Sequence, residues 1–456
     1  MTNRPNYIAM TRFGLGPSSH DLVAMGDDPR AWLLAQIHPE AARPALMADE
    51  PSGFSRLLQR FAAMEAKDPK GAARAHRRDF EASMQRRARA QITTPYPFAE
   101  RLVLFWSNHF TVSRSRKLAG TAAAGFEAEA IRPHVFGRFE DMLLACVRHP
   151  AMLFYLDNDR SIGPNSPVGR RKTLGLNENL AREILELHTL GARGGYRQED
   201  VTELAAALTG WSVARSAEEA TTDPAKPEGF VFRRAQHEPG TRSFIGRNFA
   251  QKGEAQAEAI LRTLARLPAT ARHVATSLAR DMVADVPSET IIGELEAAFL
   301  RTQGDLAELA RTLVTLDAAW DAPLTKVRRP YGLFLSVMRA CPELRSERLQ
   351  DPVTLPPRAL FLPALEAMGQ PLFRPPSPAG WSDAAEDWIG PAALTQRVRW
   401  IDAVVDALRL DTDPARLIDE WLAPVADPAF RELITQAPDR DDGLALLFAS
   451  PQFQRC

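Results

Sequence analysis

The chain is short of cysteine and of net charge: three Cys in 456 residues, and 56 Lys and Arg against 57 Asp and Glu, for a formal charge of -1. Cys146, Cys341 and Cys456 are far apart and form no C-x-x-C, so neither a disulfide framework nor a zinc ribbon is expected. Two buried small hydrophobes and a frayed end are the simpler expectation, and the usage fits a reducing compartment. The near balance of charge argues against a general polyanion binder, so no nucleic-acid partner is expected. No apolar run is long enough to cross a bilayer, so no membrane partner is expected either. The opening MTNRPNYIAMTRFGLG has no apolar stretch behind a basic start, which makes the cytoplasm the default location. Missing motifs narrow the chemistry further. There is no H-E-x-x-H, no Glu-x-x-His, no P-loop, no C-x-x-C-H and no G-x-S-x-G. RFGLG at 12–16 lacks the spacing of a dinucleotide fingerprint and reads as a turn.

What is present is helical periodicity on an ordinary globular composition, 45% hydrophobic and 25% charged. A chain of this length can bury a large core without a structural metal. Asp28 and Pro29 read as a cap and first turn before a helix. Residues 69–92 predict a long helix with a basic, solvated face. Helices are expected over 97–110, 122–130, 139–147, 177–190, 198–208, between 255 and 316, and over 391–408 and 414–422. Residues 161–176 lack periodicity and read as a long loop, and 352–391 is Pro-rich, with PLFRPPSPAGW at 371–381 read as an irregular crossover. Between 213 and 249, Phe230, Phe232, Phe244, Ile245 and Phe249 alternate with glycines, the mark of a small β-hairpin or irregular excursion. The expected fold is therefore all-α, an irregular multi-helix domain with that one excursion. Residues 1–320 would form the main domain and 321–456 a helical lobe packed on it, with a single domain over 1–456 as the alternative.

One stretch is unusually polar. At about 100° per residue, Asn179, Arg182, Glu183 and Glu186 share one face of a helix, spaced i, i+3, i+4, i+7. Glu178 and Arg182 stand in the favourable i, i+4 order. A solvated face is the plain reading. Against it stand Asn177 and Asn179, poor helix formers with no solubility advantage over Glu or Lys, and the flanking loop and glycine stop. If the face is buried, Glu183 and Glu186 need Arg182, the Asn amides, a proton or a cation to be tolerable. Oxygen ligands of this kind suit a divalent cation such as Mg²⁺ or Ca²⁺, with Glu183 and Glu186 as metal ligands. A Glu paired with a His could instead run acid–base chemistry. His109 and His237 are the candidate catalytic partners, and Asn108, Asp157 and Asn158 the binding groups brought from elsewhere. His188 falls on the opposite face and reads as a structural histidine.

The chain resembles a known family at many points: RFGLG near the start, FWSNHF at 105–110, IRPHVFGRFEDML at 131–143, HPAMLFYLDN at 149–158, NENLAREILELHTLG at 177–191, YRQEDVTELAAALTGW at 196–211, HEPGTRSFIG at 237–246, PATARHVATSLARDMVAD at 268–285 and PLFRPPSPAGW at 371–381. On these residues it is identified as similar to the bacterial domain of unknown function 1800 family. The resemblance implies a mostly helical fold and no assigned catalytic residues. Members are often encoded beside a sulfatase-like family, which implies a sulfatase-like partner protein, and many are exported. Arg197 departs from the family's usual Ser or Thr, which removes a capping hydroxyl. Two functions therefore stay open. One is an enzyme, hydrolytic or oxidative, built on Glu183, Glu186, Asn179 and Arg182 with His109 or His237. The other is a non-catalytic scaffold for the sulfatase-like partner, with the polar cluster as a buried structural network.

Overall fold

The computed structural model describes residues 3–172, 174–220, 223–341 and 357–456. It is mainly helical, and two small antiparallel sheets are the only ones among the described residues. The helix starts follow one chemical rule. Proline, which has no N–H to lose and a φ already suited to the first turn, opens the helices Pro97–His109, Pro268–Met282, Pro330–Ala340 and Pro391–Leu408. Where a free N–H needs a partner, a short polar side chain supplies it. Ser288 accepts from Ile291 N, Asp305 from Glu308 N and Asp427 from Phe430 N.

The helices bury a continuous apolar core that runs from Tyr7 to Phe453 and includes side chains from both halves of the chain. Helix Pro97–His109 lies within it, with Phe98, Leu102, Val103, Phe105 and Trp106 all buried. Helix Pro268–Met282 packs on Glu289–Thr302. The β excursion is two hairpins. Trp211–Val213 pairs with Phe230–Phe232, and Arg242–Phe244 pairs with Arg247–Phe249. The second closes through Ile245 and Gly246, both left-handed at φ 44° and 67°. That is the backbone of a type I′ turn, unusual for a β-branched residue. Asp200 Oδ1 holds it by accepting from Ile245 N at 2.7 Å.

Two sequence expectations change. The helix expected over 177–190 is an α-helical turn, Asn179–Glu183, followed by a π-helical turn, Ile184–His188. The wider turn carries the later residues out of the sector that regular helical spacing assigns them. The loop over 161–176 contains a short helix, Pro167–Lys172. Within the Pro-rich stretch 352–391, residues 352–356 lie outside the described residues, a 3₁₀ turn Arg358–Leu360 and a short α-helix Leu362–Ala367 follow, and 371–381 is the irregular coil expected of it. Arg197 keeps half of a capping box, because Asp200 Oδ2 accepts from its backbone N at 2.8 Å. No described helix is long and apolar enough to cross a membrane.

Candidate active site

Glu183 and Glu186 sit half-buried at the π-helical turn. Burial raises the Glu183 carboxyl, the charge of Glu186 adds to the rise, and Arg182 opposes it. Tyr196 is pushed up to about 12 by burial and by the neighbouring Glu186 carboxylate. Tyr155 also rises to about 12, through burial and then the charge of Glu183. These two carboxylates and two phenols thus act on one another's charge, with Tyr155 buried and Tyr196 half-buried. The other expected members lie elsewhere. Asn179 is exposed, and its backbone N donates to Asn177 Oδ1 at 2.9 Å. Arg182 turns to Glu178 at 3.1 Å, and Glu178 also accepts from Thr202 at 2.8 Å, which latches this turn to helix Gln198–Leu208. Asp157 pairs with Arg116 at 2.9 Å. Asn158 is buried and donates to the carbonyls of Leu208 and Trp211.

The histidines face the core. His109 Nε2 meets the carbonyl of His188 at 3.1 Å, and its ring stands 5.9 Å from His273 and 6.3 Å from His188. Burial and the two neighbouring imidazoles hold His109 well below its ordinary value. His188 falls to about 3 for the same reasons, burial first and then His273. Both rings are thereby held toward their neutral form. His237 Nδ1 meets the carbonyl of Thr209 at 3.0 Å, beside the first hairpin. Neither His109 nor His237 has a Glu183 or Glu186 contact, and among the described residues no three His, Cys, Asp or Glu side chains converge as a metal site.

A second cluster of polar groups surrounds a cavity of about 140 Å³. Its walls are helix Pro97–His109, the end of helix Pro268–Met282, the segment 326–332 and the coil 370–383. Arg87, Arg101, Lys326, Arg328 and Arg329 line it together with the two carboxylates Asp281 and Asp383. Of the residues singled out from sequence, Asn108 lines it too. Its side chain clamps the coil by donating to Trp381 O at 3.0 Å and accepting from Trp381 N at 2.8 Å. Gly380 makes that clamp possible. It is left-handed at φ 79°, and a Cβ there would lie 2.6 Å from Asn108 Oδ1 and 2.7 Å from Asn108 O. Gly380→Ala should therefore lower stability by about 1–3 kcal/mol and shift the coil. An unchanged urea midpoint would show that the coil yields freely.

Asp281 and Asp383 meet at Arg329. Its Nη2 donates to Asp281 Oδ1 at 2.9 Å and also to Asp383 Oδ1, so the two carboxyls share one guanidinium and act on each other's charge. Burial works against the charge of Asp281, but Arg101, Arg329 and Lys326 overcome it and hold this carboxyl below the usual range. Asp383 goes the other way, because burial and the Asp281 charge outweigh Arg329. Two carboxyls on one guanidinium, one favouring its charge and the other its proton, are the arrangement that separates acid and base roles.

Beneath the cavity lies a buried ion network. Glu127 accepts from Arg87 at 2.7 Å, from Arg132 at 2.8 Å and from Ser107 at 3.1 Å. Arg132 also reaches Glu100, Gln91 donates to Glu100, and Tyr331 donates to Gln91 at 2.6 Å. Burial would raise Glu127, but Arg87 and Arg132 pull it down to about 2.

Asp281 was legible in part. It lies i+7 from Val274 and i+3 from Leu278, so a carboxylate occupies the apolar stripe of its helix. Asp383 carries no such signal, since it follows an irregular coil and owes its place to the Asn108 clamp.

Fold and site together define a mainly helical protein organised around an ion-paired cavity. The chain belongs to the protein family of unknown function DUF1800, whose model matches residues 8–455. No curated protein and no solved structure matches it.

Proposed function

We propose that this cavity is the active site of an acid–base enzyme in which Asp281 and Asp383 divide the base and acid roles. The observation that supports the reading is the meeting of both carboxyls on Arg329 Nη2 at the cavity wall. Hydrolysis is the reaction such a pair serves directly. Asp281, kept ionised by its cations, accepts a proton from the attacking water. Asp383 gives one to the leaving group, and the two protons balance. Arg101 and Arg329 hold the pair in place, and Asn108 keeps the coil that carries Asp383 against the helix.

The cluster of Glu183, Glu186, Tyr155 and Tyr196 is the second reading, favoured by the raised Glu183 carboxyl and by the influence of both glutamates on the two phenols. The purified chain, tested against chromogenic esters, phosphate and sulfate monoesters, amides and glycosides, separates the two. Turnover of at least one class, lost in the Asp281→Asn/Asp383→Asn double variant and kept in Glu183→Gln/Glu186→Gln, supports the cavity. The reverse pattern transfers the activity to the glutamate cluster. A chain inert to every class overturns both and favours a scaffold for a sulfatase-like partner.

A further inference from the structure

We infer that Arg328 is the anchor for an oxyanion group of the ligand that enters this cavity. Four of the five cations that line it already have carboxylates: Arg87 has Glu127, Arg101 and Arg329 have Asp281, and Lys326 has Asp285 at 2.6 Å. Arg328 has none among the described residues. It is only 7% exposed. Its Nε donates to Phe453 O at 3.1 Å and its Nη1 to Thr11 O at 3.4 Å, while Nη2 is buried without a hydrogen-bond partner.

A buried guanidinium costs free energy unless something anionic meets it. Arg12 and Arg397 are also buried and held by neutral acceptors, but neither lines this cavity. Arg328 does, and the fork of a guanidinium matches two oxygens of a carboxylate, sulfate or phosphate. The ligand class is therefore a small molecule carrying such a group, bound through Arg328 with its reacting bond toward Asp281 and Asp383. The direction of the reacting bond rests on the acid–base reading above, whereas the anion site does not.

The test is thermal unfolding of the full chain in sodium sulfate, phosphate or acetate, each against sodium chloride at equal ionic strength. Wild type should show a saturable rise of a few degrees at about a hundredfold excess over Kd. The salt that saturates at the lowest concentration identifies the group as tetrahedral or planar. Arg328→Met should lose the saturable rise. If that variant does not fold, Arg328→Lys keeps the charge without the fork and should bind at least about tenfold more weakly. Asp383→Asn should keep the wild-type response, so a failed acid–base reading leaves this result standing and the converse also holds. No saturable rise in wild type, or the same rise in both Arg328 variants, overturns the proposal. A linear rise with equal slope in all proteins is salting by excluded ions and overturns it as well.

Discussion

Glu127→Leu unfolds at a much lower urea concentration than wild type, by an amount equivalent to about 3–5 kcal/mol. Glu127 is 1% exposed, and among the described residues Arg87 has no other carboxylate in reach. Removing the acid strands that guanidinium in the core and leaves Arg132 with Glu100 alone. The cost comes from the charge left behind rather than from the strength of the pair, because a paired buried ion is worth little over a well-packed apolar substitute. Glu127→Leu combined with Arg87→Met should therefore recover a large part of the loss. If the single variant keeps the wild-type urea midpoint, water reaches Arg87 and the network is not sealed.

The same carboxylate gives the fold an acid limit. Its pKa is about 2 in the folded chain against an ordinary 4.5. The folded state thus favours the ionised form. The linked stabilisation, about 3 kcal/mol at about 1.4 kcal/mol per unit of pKa, is complete above pH 4.5. It is lost as pH falls from 4.5 through about 2. Glu127→Gln should flatten that part of the stability curve.

The helical fold was legible because its signals are local. Asp28 and Pro29, Pro97 and Pro391 announce helix starts whatever lies around them, and helix Gln198–Leu208 begins and ends where its pattern does. The turn at Ile184–His188 was not legible, because a π-helical turn has no composition of its own. That one change of pitch alters which side chains neighbour Glu183. The cavity was harder still. It joins Asn108, Asp281, Arg329 and Asp383, residues that no local periodicity relates, and the coil that brings Asp383 in depends on a left-handed glycine. The expected histidine partners failed to meet the Glu pair for a similar reason. His109 follows Phe105 and Trp106 into an aromatic core, where burial keeps it neutral.

Asp281→Asn and Asp383→Asn should fail in different ways, although the two side chains share one guanidinium. Asp281 is 3% exposed at its side chain and faces both Arg101 and Arg329, so its loss leaves Arg101 without a carboxylate among the described residues and Arg329 with Asp383 alone. About 3 kcal/mol of stability should go with it. Asp383 is half-buried at 31%, and Arg329 keeps Asp281 when Asp383 is neutralised. Its loss should cost no more than about 1 kcal/mol of stability. Turnover reverses the order of selectivity. An amide at 383 has no acidic proton to give, so Asp383→Asn should lower kcat by about 10²–10⁴ in a chain that still melts near the wild-type temperature. Its rate should also lose the fall with rising pH that marks deprotonation of the acid. Substrates with good leaving groups, which need little protonation, should suffer least. An Asp383→Asn chain that turns over poor and good leaving groups at wild-type rates would mean that Asp383 is a tether for the coil, and that Asp281 and Arg329 are a structural ion pair.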